Sequence, residues 1–582
     1  MRRRKDWDMK KLLVGINAKF IHSCLAVRSL GQYAKEQYGI DCEVCEYTIN
    51  QSEDLILAEI YRKQPGLIGF SCYIWNIEMV ERLTANLKKV LPQTLILLGG
   101  PEVSFDGERT LQETKADFIL CGEGEEAFSQ LCLALEENMP LSNVPSLIYK
   151  KGVQIITNAL AEPLDLGKLP FVYDDLKAYE NRILYYEAQR GCPFNCQYCL
   201  SSVDKGVRFQ PLAKVKKELS FFLEHRVRQV KFVDRTFNAN RTFAMEIWQY
   251  LNEYDNGVTN FHFEVAADLF TDEMISFLKL VRPGLFQFEI GVQSTNGQTL
   301  KAIDRKDSFA HISEVVGKLQ IGNNIHLHLD LIAGLPREDF ASFRNSFNDV
   351  YGLYPDQFQL GFLKLLKGSG LREHQREYGL VCRDRAPYEV LFTGDLPFGQ
   401  MLRLKGIEEL VENYYNSGRF QKSLGYLVKL TGTPFDFFET FRCFYEKNGH
   451  HLRPQAKVEQ YDVLYKFGIG LPACDKEKLC WLMKFDLYSH EKAKKLPSWM
   501  TEDLTLPRRE EIYVFYRRAL QEGILLREYQ GLDPKQVYKM AHLEIFPFNP
   551  LTGGQAETAV LFNYRHTDIL GNAQATAVAL KK

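Results

Sequence analysis

The 582-residue chain has no apolar run approaching the roughly 20 residues that a membrane-spanning helix needs, so no membrane association is expected. It also lacks net charge: 72 Lys and Arg against 74 Asp and Glu leave −2. Such a balance creates no global field that would demand nucleic acid or an anionic membrane, although a local basic patch stays open. The opening Met1-Arg2-Arg3-Arg4-Lys5 has no apolar segment behind it and reads as a solvated tail, not a secretory signal. No Gly-x-Gly-x-x-Gly follows the first strand-like segment and no Walker loop is present, which leaves nucleotide binding in the usual sense unsupported. Thirteen cysteines without a signal argue for a reducing compartment, with free thiols or metal ligands in place of disulfides.

What is present is ordinary in bulk and specific in places. Hydrophobic residues make up 45% and charged residues 25%, as in a soluble globular protein. The length suggests roughly three to four domains. From 10 to 140, strand-like segments (12–17, 42–49, 67–72, 94–100, 117–121) alternate with helix-like ones (22–37, 55–63, 76–90, 125–137). That alternation gives a doubly wound parallel sheet, in which ligands bind beyond the carboxyl ends of the strands. The segments there are Ser71-Cys72-Tyr73-Ile74-Trp75-Asn76, Gly99-Gly100-Pro101-Glu102-Val103 and Gly122-Glu123-Gly124-Glu125. Their glycines let backbone approach a large ligand. Tyr73 and Trp75 read either as apolar walls or as plain core aromatics.

A hairpin is expected over 144–157, around Lys150-Lys151-Gly152, and a linker over 163–175. A strand over 183–189 then leads into Arg190-Gly191-Cys192-Pro193-Phe194-Asn195-Cys196-Gln197-Tyr198-Cys199. Gly191, Pro193 and Asn195 are loop formers, so three cysteines at Cys-x3-Cys-x2-Cys spacing fall on the loop leaving that strand. Three thiolates on one loop suit an iron–sulfur cluster with one iron left open. The alternative, structural zinc, takes four ligands, usually as two separated pairs, and no fourth ligand lies nearby. Strand–helix alternation resumes, with strands ending at Arg190, Asp234, Asp268, Ser294, Pro336 and Leu366. In such barrels the strand carboxyl ends carry the chemistry. Glu264, Glu289, Gln293, Arg305 and Asp330 gather there. His262, His326 and His328 read as barrel-lining or core histidines in preference to metal ligands.

The cysteine spacing closely resembles the signature of the radical S-adenosylmethionine (SAM) superfamily. The resemblance implies a 4Fe-4S cluster on Cys192, Cys196 and Cys199, SAM chelated by the open iron, and reductive cleavage to a 5′-deoxyadenosyl radical. It also implies a partial (βα)6 barrel. The three loops of the first segment resemble the cobalamin-binding domain that precedes the barrel in one large subgroup. This implies cobalamin contacts from Ser71, Tyr73, Asn76, Gly99, Gly100, Gly122 and Gly124. The Asp-x-His-x-x-Gly motif is absent, which leaves cobalt without a protein histidine. A degenerate domain that has lost its ligand is the alternative. Methylthiotransferases carry a second cluster on three N-terminal cysteines, and Cys24, Cys42, Cys45, Cys72, Cys121 and Cys132 are available. However, Cys42 and Cys45 point to opposite faces of a strand, and structural roles are the default for free cysteine.

SAM presents an amine, a carboxylate and two ribose hydroxyls. On the resemblance to the branch containing oxygen-independent coproporphyrinogen oxidase, Glu264 and Arg305 hold the methionyl end, and Gln293 and Asp330 the ribose. Singly, each is also explained as a polar cap of the barrel. Phe232-Val233-Asp234-Arg235-Thr236-Phe237-Asn238 resembles the family's second-strand motif, where Arg235 often is acidic; Arg235 is expected to pair with Asp234. Beyond an irregular 382–397, the chain turns mainly helical (401–416, 437–447, 458–467) with a dense aromatic core pattern. Strands return at 543–548 and 559–564. This part resembles an extension found in some cobalamin–radical SAM proteins and lacks the RNA-binding β-barrel tail of tRNA methylthiotransferases. Cys474 and Cys480 have no zinc spacing.

The expected fold is therefore α/β. A Rossmann-like cobalamin-binding domain (10–140) precedes a hairpin and linker (141–178), a central partial (βα)6 radical SAM barrel (179–380) and a mainly helical C-terminal extension (381–582). The implied function is cobalamin-dependent methylation of an unactivated carbon in the cytoplasm of a cell at low oxygen. A low-potential donor such as flavodoxin or ferredoxin would supply electrons. Rivals are a cobalamin-assisted ring-forming or oxidative reaction, a tRNA methylthiotransferase-like activity, and a non-catalytic cobalamin or SAM sensor. The complete cysteine triad argues against the sensor. The substrate (small molecule, tRNA or peptide) and the oligomeric state are not legible.

Overall fold

The computed structural model describes residues 9–203, 206–493, 495–568 and 570–580; the basic tail at residues 1–5 lies outside them. Its first sheet comprises β1 (Lys11–Asn17), β2 (Glu43–Thr48), β3 (Leu67–Ser71), β4 (Leu95–Gly99), β5 (Phe118–Leu120), β6 (Leu147–Lys151) and β7 (Gln154–Thr157). The strand order is β2-β1-β3-β4-β5-β6-β7. The first five are parallel. Every residue of β1 and β3 is buried, because helices cover both faces of a parallel sheet. Alternate residues feed two cores: Leu12, Val14, Ile68 and Ile96 enter one, and Leu13, Leu67 and Leu97 the other. Cys45, Cys72 and Cys121 pack into the first, and Cys24, Cys42 and Cys132 into the second. Desolvation pushes the Cys42 and Cys121 thiols up to about 11, as expected of core cysteines kept protonated.

The hairpin expected in the link is in fact the antiparallel edge of this sheet, with β6 on β5 and β7 on β6. Two short helices between β4 and β5, Pro101–Ser104 and Gly107–Glu113, carry too few turns to show a period in sequence.

The chain forms two units. The first holds everything to Phe288 together with Lys301–Asp307 and Phe362–Gly394; the second holds Glu289–Leu300, Ser308–Gly361 and the chain from Asp395. In the first unit, β8 (Leu184–Tyr186) begins a second sheet. The chain then leaves it for a separate antiparallel ribbon of β9 (Gln189–Cys192) and β10 (Gly206–Phe209). The single strand expected over 183–189 is thus two elements. Ala188 N, at the break, donates to Asp234 Oδ2 at 3.1 Å instead of to a strand. β11 (Gln229–Phe232) and β12 (Asn260–Glu264) continue the sheet in parallel with β8, followed by the start of β13 (Phe286–Gln293). Helices Leu212–Glu224, Arg241–Glu253 and Asp272–Leu278 connect these strands.

In the second unit the order is β15-β14-β13, with β14 spanning His326–Ala333 and β15 Gln357–Phe362. Helices Phe309–Gln320 and Phe340–Tyr351 link them. The C-terminal helices pack on the last of these: Phe347 meets Phe435 and Phe438 of helix Pro434–Lys447. Asn416 continues the ladder at the edge strand, accepting from Phe358 N and donating to Phe358 O, both at 2.9 Å, which occupies groups that an edge leaves open. Helix Lys476–His490 gave no amphipathic signal because it is buried on all sides, from Leu479 to Tyr488. Even its Lys484 is 2% exposed and pairs with Glu544 at 3.0 Å. A third C-terminal strand, Ala573–Val578, joins His542–Phe546 and Thr558–Thr567. Among the described residues no helix is long and apolar enough to cross a membrane.

Candidate functional site

The three cysteines begin on the ribbon. Cys192 is the last residue of β9 and stands opposite Gly206. Gly191 makes this turn feasible: its φ is +101°, and a Cβ there would lie 2.1 Å from Gly206 O, so no other residue fits. Cys196 and Cys199 follow on a tight turn in which Cys199 N donates to Cys196 O at 3.1 Å. The Ser202 hydroxyl donates to Cys196 O and Cys199 O, at 3.0 and 2.7 Å. All three thiols are partly exposed, whereas Cys24, Cys72, Cys121 and Cys132 of the first sheet are buried. Cys192 Sγ lies 3.4 Å from Thr236 Oγ1, just beyond β11. Burial pushes the Cys196 thiol up while the Arg305 guanidinium pulls it down.

Arg305 is itself nearly enclosed. It donates to the Tyr198 hydroxyl at 3.2 Å and pairs with Asp307 at 2.8 Å. Burial alone would lower its pKa; Tyr198 and Asp307 raise it. A small cavity lined by Phe194, Cys196, Asp304 and Arg305 lies beside the loop. Glu264, at the end of β12, faces Arg235 at 3.7 Å. Arg235 was expected to pair with Asp234, but Asp234 is buried and caps the Ala188 amide, so Arg235 turns to the next strand. In the second unit, Gln293 ends β13 with a φ of +69°. Asp330 lies on β14 with Oδ1 2.9 Å from His328 Nε2. Glu289 joins them: one ligand atom from each of Glu289, His328 and Asp330 lies within 4.8 Å of the others. His328, read as a lining histidine, therefore belongs to a polar group inside this unit.

The three loops at the carboxyl ends of β3, β4 and β5 are built from beneath. Asn76 is 1% exposed. Its amide donates to Ile16 O and Ser71 O at 3.0 and 2.9 Å and accepts from Tyr73 N at 2.8 Å, so it shapes the first loop from inside. Ser71 is buried with its hydroxyl against Cys24 Sγ. Tyr73 and Trp75 stack at 4.4 Å, and Trp75 is 44% exposed. A Cβ at Gly100 would lie 2.7 Å from Cys72 O, so this glycine holds two loops together. Gly124 packs against Leu30, whereas Gly122 faces open space and Gly99 has only Leu120 O near, at 3.8 Å. The surface left for a flat ligand is thus glycine backbone beside an exposed indole, which fits a corrin. The three accessible soft thiols fit an iron–sulfur cluster.

Two charge networks in the first unit involve residues that sequence reasoning passed over. Glu102, buried in the second loop, receives the Tyr388 hydroxyl and pairs with Lys367 at 3.1 Å. Leu371 N, nearby in the same segment, donates to Gln197 O, between Cys196 and Cys199. Arg190, two residues before Cys192, pairs with Glu187, Glu125 and Glu123 at 2.8, 3.0 and 3.3 Å. Glu123 and Glu125 of Gly122-Glu123-Gly124-Glu125 carry no partner signal in sequence, since Arg190 and Arg208 lie far along the chain.

Residues 11–132 match the B12 binding domain family, residues 186–350 the Radical SAM superfamily, and residues 376–562 a family described as protein of unknown function (DUF4080). The cobalamin-dependent radical SAM methyltransferase TokK of Streptomyces tokunonensis is 25% identical over 426 residues, covering 69% of this chain and 56% of TokK. The anaerobic magnesium-protoporphyrin IX monomethyl ester cyclase of Synechocystis sp. is 28% identical over 275 residues, covering 45% of this chain and 54% of the cyclase. The chain thus spans about half the length of these curated relatives. In fold it resembles the cobalamin-dependent SAM radical enzyme OxsB with aqua-cobalamin bound, at a TM-score of 0.58 and 16% identity, covering 82% of this chain and 79% of OxsB. Two of its segments thus belong to known families, a B12 binding domain at residues 11–132 followed by a radical SAM domain at residues 186–350.

Proposed function

We propose that the protein is a cobalamin-dependent radical SAM methyltransferase that methylates an unactivated carbon. The observation carrying this reading is that one unit holds both the accessible thiols of Cys192, Cys196 and Cys199 and the glycine-lined third loop. Arg190 joins the two by hydrogen bonds. When bound, the cofactors supply a carbon radical and a methyl group.

The chain supplies placement. Cys192, Cys196 and Cys199 hold the cluster. Arg305 and Glu264 take the methionyl end of SAM; Gln293 and Asp330 take its ribose. Backbone at Gly99, Gly100 and Gly122 borders the corrin, with Tyr73 and Trp75 beside it and Ser71, Asn76 and Gly124 shaping the loops. The setting is cytoplasm at low oxygen, with a low-potential flavodoxin or ferredoxin as electron donor.

The test is product analysis of the anaerobically reconstituted full chain. With SAM, a reductant, cobalamin and substrate candidates, methyl transfer yields S-adenosylhomocysteine together with 5′-deoxyadenosine. Alanine at all three cysteines should abolish both products and the iron, and a full iron complement in that variant would overturn the cluster assignment. Gly99→Glu puts a charged side chain where the backbone now leaves room, and should abolish the corrinoid spectral change. If cobalamin binds and 5′-deoxyadenosine forms without S-adenosylhomocysteine, the ring-forming or oxidative reading wins. The similarity to the cyclase already favours it as second choice.

A further inference from the structure

Arg190 and Arg208 stand directly opposite each other on β9 and β10. Two like charges in that position repel unless an anion lies between them. Glu123 is that anion. It lies 3.3 Å from Arg190 Nη1 and accepts from both terminal nitrogens of Arg208. Its Oε2 also accepts from Leu164 N at 2.9 Å. Glu125 accepts from Arg190 Nη2 at 3.0 Å and is 7% exposed. Glu187 completes the set, accepting from Nε and Nη2 at 3.0 and 2.8 Å.

These are charge-assisted bonds in a partly buried setting, where removing one partner strands a charge. Their position gives them a consequence beyond stability. Glu123 and Glu125 flank Gly124 in the loop beyond β5. The two arginines sit on the ribbon whose register also pairs Cys192 with Gly206. A shift of the loop therefore moves the ribbon that carries the first cysteine, and a disordered ribbon frees the loop.

We propose that Arg190, Arg208 and Glu123 are positioning residues that couple corrinoid binding to cluster loading. The inference rests on the cobalamin and cluster assignments above. The coupling is reciprocal by thermodynamic necessity: a loaded cluster tightens cobalamin binding, and bound cobalamin favours iron retention.

Cobalamin titration of the full chain, followed by its visible spectrum, tests this. Wild type, Glu123→Gln and Arg208→Lys are each titrated with the cluster loaded and after iron is removed by chelation. For wild type the loaded form should bind at least about fivefold more tightly. In Glu123→Gln, which keeps the side-chain shape but not the charge, the two affinities should agree within about twofold. Arg208→Lys keeps the charge but not the fork and should give a ratio between these. It decides the matter if Glu123→Gln fails to fold in a melting control. A purely structural clasp would lower the melting temperature of the variants and leave the ratio untouched. Equal wild-type affinities, or a wild-type ratio in the folded variants, overturns the proposal. If neither wild-type form binds cobalamin, the functional reading falls and the inference with it.

Discussion

The Arg305 guanidinium already engages Tyr198 and Asp307, so its shape matters as much as its charge. Arg305→Lys keeps the charge but loses the planar fork. Loss of one charge-assisted bond in a partly buried site costs about 1.5–3 kcal/mol, or roughly ten- to a hundredfold in SAM affinity. Gln293→Ala removes a neutral contact and should cost nearer to about 0.5–1.5 kcal/mol. Anaerobic SAM-binding measurements with iron analysis decide: wild-type affinity in Arg305→Lys would make the residue structural, and a fall in iron would make it a brace of the cluster loop through Tyr198. Glu338 offers a pH test. Burial raises its carboxyl from 4.5 to about 7, against the opposing hydrogen bonds from Ser294 and Ser346. The folded chain binds that proton more tightly than the unfolded one. Its contribution is therefore fully present below about pH 4.5 and is lost as pH rises through about 7, by roughly 3 kcal/mol. Glu338→Gln keeps an acceptor for the Ser294 hydroxyl and cannot ionise. Between about pH 5 and about pH 7.5 the wild-type melting temperature should fall more than the variant's; parallel curves would show that Glu338 is ionised in the fold.

At the scale of elements, the ribbon of β9 and β10 is the most sensitive part. Gly191→Ala would set a Cβ 2.1 Å from Gly206 O at a φ of +101°. The backbone strain alone costs on the order of 1–3 kcal/mol, and the clash must separate the strands that carry Cys192. Iron per chain after anaerobic reconstitution should fall well below that of wild type. A full complement would mean that the ribbon can move aside without disturbing the cluster loop. The ribbon has no signature in sequence because each strand has four residues, too short for a period. Long amphipathic elements fared better. Helix Glu125–Glu137 lies where its periodicity put it, whereas helix Lys476–His490, buried around its middle, has no continuous polar face to announce it.

For the whole molecule, the α/β order of the first sheet and the barrel strands, the cysteine loop and the helical character of the C-terminal part are legible in the residues alone. These follow from local properties: alternation with period 2 or 3.6, glycine and proline breaks, and three thiols within eight positions. The residues also place Cys42 and Cys45 on opposite faces, since a strand's pleat requires that. Tertiary structure alone decided what meets across distance. The hairpin β6–β7 closes the first sheet because its register matches β5, which composition does not encode. Lys301–Asp307 and Phe362–Gly394 return to the first unit, bringing Lys367 and Tyr388 to Glu102. Arg235 pairs with Glu264 and not with its neighbour Asp234, which is buried and accepts from the Ala188 amide. Arg190 and Arg208 find Glu123 some 67 and 85 positions away only because the path of the backbone carries them there. A charge has no preferred partner in a sequence: in salt, attraction between exposed charges fades beyond a Debye length of about 8–10 Å, and only folding sets which carboxylate falls within that reach.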